Sequence, residues 1–277
     1  MTSCMRVPLA LVFLATPALA LADERADDPC IATVIDPIVT PVRDVDLDAQ
    51  RSACLRQELE AGLLAHALID TPGFYGSLGG DLALGGRVVI REAHELSAQL
   101  RVVDFSFVQN AVNKVTHAGF GPLVIGAAAG GFIGVGARGA LVAQLELPFT
   151  RNDMDTVHIS GQLGGVVTGR IAPRFVLHAR LGALGMRASS VAGATNRLAF
   201  RAGSDVVWHL RTRLALLAGA DLSAGWYHGF DHVLLRLGVH WRVTRDNDWR
   251  LRAGIGAPVG GDERANAVLD LAVVHGL

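Results

Sequence analysis

Apolar and polar residues alternate strictly in three successive segments near the C-terminus, and this pattern constrains the fold more than any other feature. In one of them Val233, Leu235 and Leu237 share one parity, whereas Arg236 and Gly238 share the other. Successive side chains of a β-strand point to opposite faces, so each segment predicts a strand with one apolar face and one charged face. Each segment is also long enough for a tilted strand that crosses a bilayer. The three segments are residues 213–226, 231–243 and 249–259.

Weaker alternation runs through most of the chain after Pro72. Hydrophobic residues make up 51% of the chain and mean hydropathy is +0.36. Beyond the N-terminal region, however, no charge-free stretch reaches the roughly 18 apolar residues of a spanning helix. Lipid exposure without such helices indicates a β-barrel, because only helices and closed barrels satisfy their backbone groups in a bilayer. The weaker segments are residues 76–90, 94–106, 121–135, 138–149, 156–170, 174–186, 197–209 and 269–277.

These segments amount to about eleven strands, whereas single-chain bacterial barrels have an even number. We therefore predict an all-β fold, a single antiparallel up-and-down transmembrane β-barrel of about twelve strands, with ten as the alternative. The missing strand could lie in residues 31–45, or residues 74–91 could hold two short strands. Short and long links alternate along the chain, and if Leu277 is periplasmic, every short link falls on the periplasmic side.

The N-terminal region predicts export. Arg6 precedes a short apolar run, and Ala18, Ala20 and Ala22 provide small residues for cleavage after Ala20 or Ala22, which is the pattern of a secretory signal peptide. We therefore expect a cleaved signal peptide over residues 1–22 and a mature protein in the cell outer membrane. Its expected partners there are outer-membrane lipid and the barrel insertion machinery.

Two further segments are expected before the barrel. Residues 23–47 are acidic and contain three prolines, which predicts a periplasmic linker. In residues 48–70, leucines recur every four positions beside charged residues, which predicts an amphipathic helix. That helix could lie on the membrane, plug the barrel or cover its periplasmic mouth. The barrel itself is expected over residues 73–277. The leucines in question are Leu55, Leu59 and Leu63.

Arginines dominate the charged faces of the predicted strands, since all but one of the 25 basic residues are arginine. Lining a lumen with these arginines, opposed by fewer acids, would create a positive potential and favour anions. The alternative is that the arginines pair with the acids and fill a narrow barrel. The predicted lumen-lining residues are Arg87, Arg101, Arg180, Arg201, Arg213, Arg236, Arg242, Arg250, Arg252, Asp81, Glu146, Asp205 and Asp221. The charged faces also contain Arg170, Arg174, Glu95 and Asp270.

One residue pair is a candidate for catalysis. His158 and Ser160 are two apart on a predicted strand and point the same way, as in outer-membrane lipid hydrolases that use such a pair. Gly161 stands where those enzymes generally carry Asn, and the alternation turns the pair towards the lumen rather than lipid. No catalytic residue is therefore predicted. The glycines of residues 134–139 match a dinucleotide-binding fingerprint by letters alone, but the alternation that follows them predicts a hairpin turn.

Few other binding groups are indicated. The histidine and cysteine spacings predict no metal site, and no cofactor is expected. Cys30 and Cys54 could form a disulfide in the oxidising periplasm, or could remain unpaired thiols. The formal net charge of -1 argues against nucleic acid as a partner.

Four functions are compatible with these patterns. A passive or selective channel for small solutes, with a preference for anions, is favoured because the charged faces would meet in a lumen. A closed structural or assembly barrel is the alternative, followed by a lipid-modifying enzyme. The fourth is a soluble periplasmic β-sandwich that binds a ligand. The low aromatic content of 6% supports it, because membrane barrels carry girdles of Trp and Tyr. The four tryptophans nevertheless fall near strand ends, where a girdle would place them.

Several strand and turn units resemble those of outer-membrane transporter-like barrels. They are REAHELSAQL at 91–100, GFGPLVIGA at 119–127 and RIAPRFVLHARL at 170–181. Residues 74–277 look like the group labelled as MetA-pathway phenol-degradation transporters, in which a Gly-x-Gly-Asp-Leu-x-Leu-Gly-like motif opens a strand. Here Pro122 replaces the Asp, and Leu78 replaces the first Gly of a second copy. The resemblance implies a channel or uptake role and supplies no functional residues.

Overall fold

The computed structural model describes residues 53–70, 75–91, 93–109, 114–148, 157–190, 193–225, 229–244, 249–260 and 267–277. The predicted signal peptide, the predicted linker with Cys30, and Trp226 lie outside these residues. β-Strands make up most of the part described. They are β1 Glu58–Asp70, β2 Tyr75–Ile90, β3 His94–Gln109, β4 Lys114–Gly119, β5 Leu123–Gly134, β6 Ala137–Leu147, β7 Val157–Ala172, β8 Phe175–Ser190, β9 Gly193–Arg211, β10 Leu214–Gly225, β11 Gly229–Arg242, β12 Trp249–Gly260 and β13 Ala267–Gly276.

Twelve of these strands form one closed antiparallel ring. Strands that follow one another in the chain are neighbours in the wall, and β1 pairs with both β2 and β13. Closure matters because it gives each strand of the ring a partner on both sides and leaves no exposed edge. The predicted up-and-down barrel of twelve strands is confirmed, and the alternative of ten strands is wrong.

The remaining strand, β4, continues β5 rather than adding to the ring. Both pair with β3, β4 with residues 104–109 and β5 with residues 94–100. Between them the Gly121 N–H donates to the Arg101 carbonyl (3.0 Å), and the Arg101 N–H donates to the Pro122 carbonyl (3.3 Å). Pro122 has no N–H for the ladder, and a Cβ on Gly121 would lie 2.7 Å from the Arg101 Cβ. The Gly-Phe-Gly-Pro sequence therefore interrupts one barrel strand.

Residues 58–70 form strand β1, so the amphipathic helix predicted over 48–70 is wrong for them. Leu59 and Leu63 are exposed on the outer face, whereas Glu58 and Leu64 are buried on the inner face. A spacing of four residues is close to one helical turn and is also two strand periods, so the leucines fit either structure. No helix within the described residues is long and apolar enough to span a bilayer.

Strand β1 is the one missing from the sequence-based count. Residues 75–90 form one continuous strand, β2, so the suggested division of 74–91 is also wrong. The other suggested location, residues 31–45, lies outside the described residues.

The wall has one apolar and one polar face. The outward-facing residues include Leu141 and Leu163, which are 69% and 66% exposed, whereas Arg101 and Arg250 on the other face are 1% and 2% exposed. The buried face of a closed barrel is its interior. The exterior is thus an apolar surface far larger than that of a typical soluble monomer, which marks a contact with lipid or protein.

The two ends of the barrel differ. We call the turn end the one at which β1 begins and β13 finishes; it carries the links at 91–93, 135–136, 173–174, 212–213 and 243–248. The opposite loop end carries the links at 71–74, 110–113, 148–156, 191–192, 226–228 and 261–266. The 191–192 link has two residues, as few as the shortest links of the turn end, because β8 and β9 pair as far as Ser190 and Gly193. Length alone therefore does not distinguish every link.

Three tryptophans lie on the outer face near the turn end. Trp208, Trp241 and Trp249 are each between 41% and 50% exposed. Trp208 stacks on Phe175 with 5.8 Å between ring centroids, and Trp249 stacks on His275 at 4.5 Å. Amphipathic rings at one level of a barrel are typical of a girdle at a membrane interface.

Candidate functional site

Most of the predicted lumen-lining residues lie in the barrel interior. Arg180, Arg242 and Glu146 are half-buried there. The buried ones are Arg87, Arg101, Arg201, Arg236, Arg250, Arg252, Asp81, Asp205 and Asp221. The exception is Arg213, which is exposed at the 212–213 turn. Its assignment to the lumen stays a prediction, because β10 begins only at Leu214 and a turn residue is not held to the alternation of the strand.

Four of these side chains form a continuous chain of ion pairs across β8 to β11. Arg180 Nη2 lies 3.1 Å from Asp221 Oδ1, Arg236 Nη2 lies 2.9 Å from Asp221 Oδ2, and the same nitrogen lies 3.0 Å from Asp205 Oδ1. All four residues are buried or nearly so. Charge-assisted pairs of this kind satisfy groups that would otherwise be costly to bury.

Glycines allow two of these pairs to reach across an intervening strand. Gly203 of β9 is the direct neighbour of both Arg180 and Asp221. Gly219 of β10 is likewise the neighbour of both Asp205 and Arg236. A Cβ on Gly219 would lie 2.7 Å from the Asp205 Cγ and 2.7 Å from a backbone oxygen. The missing side chain therefore provides the space in which the carboxylate and guanidinium meet.

Glu58 of β1 joins two other arginines. Its carboxylate pairs with Arg87 of β2 and with Arg250 of β12, and the Arg87 Nε donates to Glu58 Oε2 at 3.0 Å. Arg87 also lies 3.9 Å from Glu95 of β3. These residues come from strands on both sides of β1, so this hub ties together the part of the wall where the barrel closes.

Smaller pairs also lie in the interior. Arg252 lies 2.6 Å from Asp270 on the adjacent strand, Arg101 lies 3.8 Å from Asp81, and the Ser160 hydroxyl donates to Glu146 at 3.3 Å. Among the buried residues, arginines and acids are equal in number, six of each. The formal charges of the buried arginines and acids among the described residues therefore cancel.

A short segment before β1 crosses the interior, and we call residues 53–57 the crossing segment. Ala53 and Cys54 are almost completely buried. Ala53 packs with Leu55 against an apolar cluster on β5, β6 and β7, which consists of Ala128, Ala140, Val142 and Val166. β7 is five strands away from β1 around the ring of twelve, close to the opposite wall. The chain therefore traverses the barrel before it enters the wall.

Hydrogen bonds to two strands and to Leu277, which follows β13, hold the crossing segment. The Ala53 N–H donates to the Thr168 hydroxyl of β7 (2.8 Å), the Arg56 N–H donates to Glu95 of β3 (3.1 Å), and the Leu277 N–H donates to the Gln57 carbonyl (3.1 Å). The Thr168 hydroxyl also bonds to the buried His178 ring at 2.9 Å. Cys54 is disulfide-bonded. Cys30 lies outside the described residues, so its pairing with Cys54 stays a prediction.

No protein-family model and no curated protein matches the chain. Solved structures do match it. The COG4313 outer membrane channel from Pseudomonas putida F1 is similar with a TM-score of 0.62 at 12% identity, covering 87% of this chain and 100% of that chain. The KdgM porin in complex with disordered oligogalacturonate has a TM-score of 0.52 at 7% identity, covering 79% and 99%. The translocator domain of the autotransporter NalP from Neisseria meningitidis has a TM-score of 0.54 at 14% identity, covering 80% and 88%.

The fold is that of outer-membrane β-barrels. At these identities the likeness concerns the fold alone, and the narrower resemblance to the MetA-pathway transporter group stays a prediction. Several structures of this class are channels or porins by name, and one is a translocator domain. The barrel wall is therefore common to different activities, and any function has to be argued from the interior of this chain.

The other sequence motifs have clear positions in this outer-membrane barrel fold. Ser160 is buried on the inner face as predicted, whereas the His158 side chain lies outside the described residues. The glycines of 134–139 form the predicted hairpin between β5 and β6, with Gly136 at a φ of 68°. Within the described residues no group of three or more His, Cys, Asp or Glu side chains is placed to hold a metal ion.

Sequence reasoning missed the residues that organise this interior. Glu58 was assigned to a helix, and Thr168 and His178 were not singled out. One signal could have revealed Glu58: the apolar residues Leu59, Ala61 and Leu63 alternate with Glu58, Glu60 and Gly62, as in the other strands. The role of Thr168 had no such signal, because its partner Ala53 is 115 residues away in the chain.

Replacing Thr168 with valine tests how firmly the crossing segment is held. Valine keeps the shape but removes the oxygen that accepts from Ala53, so a buried N–H loses its partner. We expect roughly tenfold or faster hydrogen exchange in the peptide covering residues 53–57, as estimated from a loss of about 1–3 kcal/mol. Thr195, exposed on β9, provides the matched valine control. Unchanged exchange in the Thr168 variant would contradict the anchoring role.

Proposed function

We propose that this protein is an outer-membrane channel for small solutes. The observation that carries the proposal is a closed barrel with an apolar exterior and a charged interior, in a chain whose whole strand ring matches known channels in fold. An apolar exterior suits acyl chains, and a polar interior suits water and solutes. The turn end is placed in the periplasm, because bacterial barrels have their termini and shorter turns there.

The finer part of the proposal is a preference for anions and the absence of an enzymatic activity. The arginines predicted to line the lumen remain the basis for anion preference, although the most buried ones are paired with acids. What favours anions is the half-buried charge near the turn end, where Arg170 and Arg242 face the interior. The KdgM porin was solved in complex with oligogalacturonate, an acidic saccharide, so a barrel of this fold is compatible with anionic cargo.

A closed structural barrel is the second candidate, and the crossing segment favours it. A cavity of about 30 Å³ lies among Glu58, Glu60, Arg87 and Gln99, room for about two water molecules. Ion pairs and the crossing segment could thus fill the interior and block passage. The two functions differ in one measurable quantity, the flow of ions through the barrel.

Conductance measurements test the proposal. We expect the full-length mature protein to produce discrete current steps in planar lipid bilayers, and a reversal potential in a KCl gradient with the sign of chloride preference. Liposome swelling with neutral and charged solutes of graded size should give the size limit. A heat-denatured sample is the control for leakage. Absence of conductance would favour the closed barrel, and a cation-selective reversal potential would contradict the anion preference.

A further inference from the structure

Cationic side chains gather on the inner face of the turn end. Arg242 is half-buried at the end of β11, and its backbone N–H donates to the Arg213 carbonyl at 2.9 Å. In the pairing of β11 with β12 it stands directly opposite Arg250. Like charges directly opposite each other destabilise a sheet. Glu58 neutralises Arg250, which leaves the charge of Arg242 to be explained.

The charged groups with the largest effects on Arg242, within the described part of the chain, are all positive. The charged groups that act on it are Arg250, Arg56 of the crossing segment, and Arg213. Those that act on the nearby ring of His209 are Arg170 and Arg242. No carboxylate of the described residues is among these groups. A concentration of positive charge at the mouth of a low-dielectric wall attracts anions.

Several buried nitrogens in this region have no hydrogen-bond partner in the described part of the chain, and two of them belong to Arg242 and His209. The Arg242 Nε and the His209 Nε2 are both shielded from solvent, and neither has a hydrogen-bond partner among the described residues. Leaving a buried donor unsatisfied is costly, so each such group calls for an explanation such as a bound water or ion. The positive field favours an anion over water as the group that satisfies Arg242.

We propose that Arg242, with His209, Arg56 and Arg170, forms a site for the carboxylate or phosphate group of a small anionic solute. These four residues we call the mouth cluster. The planar guanidinium fork matches the two oxygens of such a group. The proposal rests on the channel function for the route by which the solute arrives, whereas binding itself does not require conduction. The crossing segment would then supply part of the site through Arg56.

Calorimetry of the full-length mature protein in detergent tests the site without requiring a channel. Sodium phosphate and sodium acetate, titrated at constant ionic strength, are the probes. We expect Arg242→Gln to weaken phosphate binding by about fivefold or more, because a charged bidentate contact is lost. Arg187→Gln is the matched control, since Arg187 is an exposed arginine of β8 at the loop end; it should leave binding unchanged. If Arg242→Gln does not fold, His209→Gln is the second test variant, and it should also weaken phosphate binding.

Selectivity gives an independent measurement. In a KCl gradient, Arg242→Gln should lower the chloride-to-potassium permeability ratio by about threefold, as expected when one unit charge is removed a few ångströms from the ion path. Arg187→Gln should not change this ratio. Arg242→Lys, which retains the charge but not the fork, should keep most of the selectivity while weakening phosphate binding.

The outcomes separate this proposal from the channel function. Phosphate binding by a wild-type protein that gives no current would support the site and overturn the channel. Current in a protein whose Arg242→Gln and His209→Gln variants bind phosphate as tightly as wild type would overturn the site and leave the channel. The last measurement tests binding of phosphatidylglycerol in mixed micelles. Binding of this lipid without binding of inorganic phosphate would assign the phosphate group to a headgroup, and would overturn a solute site.

Discussion

Replacing Glu58 with glutamine is expected to lower the free energy of unfolding by about 3–5 kcal/mol, the usual cost of removing one partner of a buried ion pair. Glu58 pairs with both Arg87 and Arg250, and both arginines are buried. The carboxylate of Glu95 lies 3.9 Å from Arg87. A neutral amide would remove the negative charge that both buried arginines contact in a low-dielectric interior. The quantity to measure is the unfolding free energy from denaturant titration, followed by tryptophan fluorescence.

A matched triple variant tests whether the loss of stability comes from charges left unpaired in the interior. Replacing Glu58, Arg87 and Arg250 together with leucine removes the charges as well as the pairs, and such replacements of buried ion pairs are often neutral or stabilising. We therefore expect the triple variant to recover most of the stability that Glu58→Gln loses. If both variants are equally unstable, packing rather than charge explains the effect. If Glu58→Gln unfolds like wild type, the hub does not stabilise the closure of the barrel.

Replacing Gly219 with alanine is expected to be the second most damaging single change, with a loss of about 1–3 kcal/mol from overpacking and more if the ion pairs separate. The added Cβ would enter the space where Asp205 and Arg236 meet, 2.7 Å from the Asp205 Cγ. It would also lie 2.7 Å from the Ser204 carbonyl oxygen, so moving the carboxylate alone would not relieve the clash. Denaturant titration again measures the loss.

Gly165 provides the matched control for this substitution. It lies on β7 with nothing within 4 Å of the position of an added Cβ. Alanine there should be neutral or stabilising by about 0.5–1 kcal/mol, because it reduces the freedom of the unfolded chain and fits an extended strand. Equal losses at Gly165 and Gly219 would indicate a general intolerance of these strands to alanine, and would contradict the specific role of Gly219.

Strand periodicity made much of this barrel predictable. The alternation in 231–243 identified a strand with an apolar outer face and a charged inner face, and β11 has that arrangement. Local sequence suffices here because a strand that separates lipid from a polar interior must repeat with a period of two. The same logic placed Arg236 and Arg252 inside, where both are buried. It does not apply to Arg213, which belongs to a turn.

The mistaken helix has an equally physical cause. Leu55, Leu59 and Leu63 are spaced so that both a helix and a strand would align them. What decides between the two is the presence of β13 and β2 on either side, whose backbone groups pair with every residue from Glu58 to Ala67. Such partners lie far away in the sequence, so the local pattern carries no information about them.

The sequence by itself determined the wall of this protein. Alternating apolar and charged residues predict strands with two different faces, and such strands must form a closed barrel in a bilayer. Only the tertiary structure decided how the inner charges are used. Arg180 meets Asp221 and Arg236 meets Asp205 because register brings a glycine between them. Ala53 reaches Thr168 because the chain crosses the ring before it joins the wall. Periodicity is a property of neighbouring residues, whereas these contacts depend on the alignment of strands that closure alone brings together.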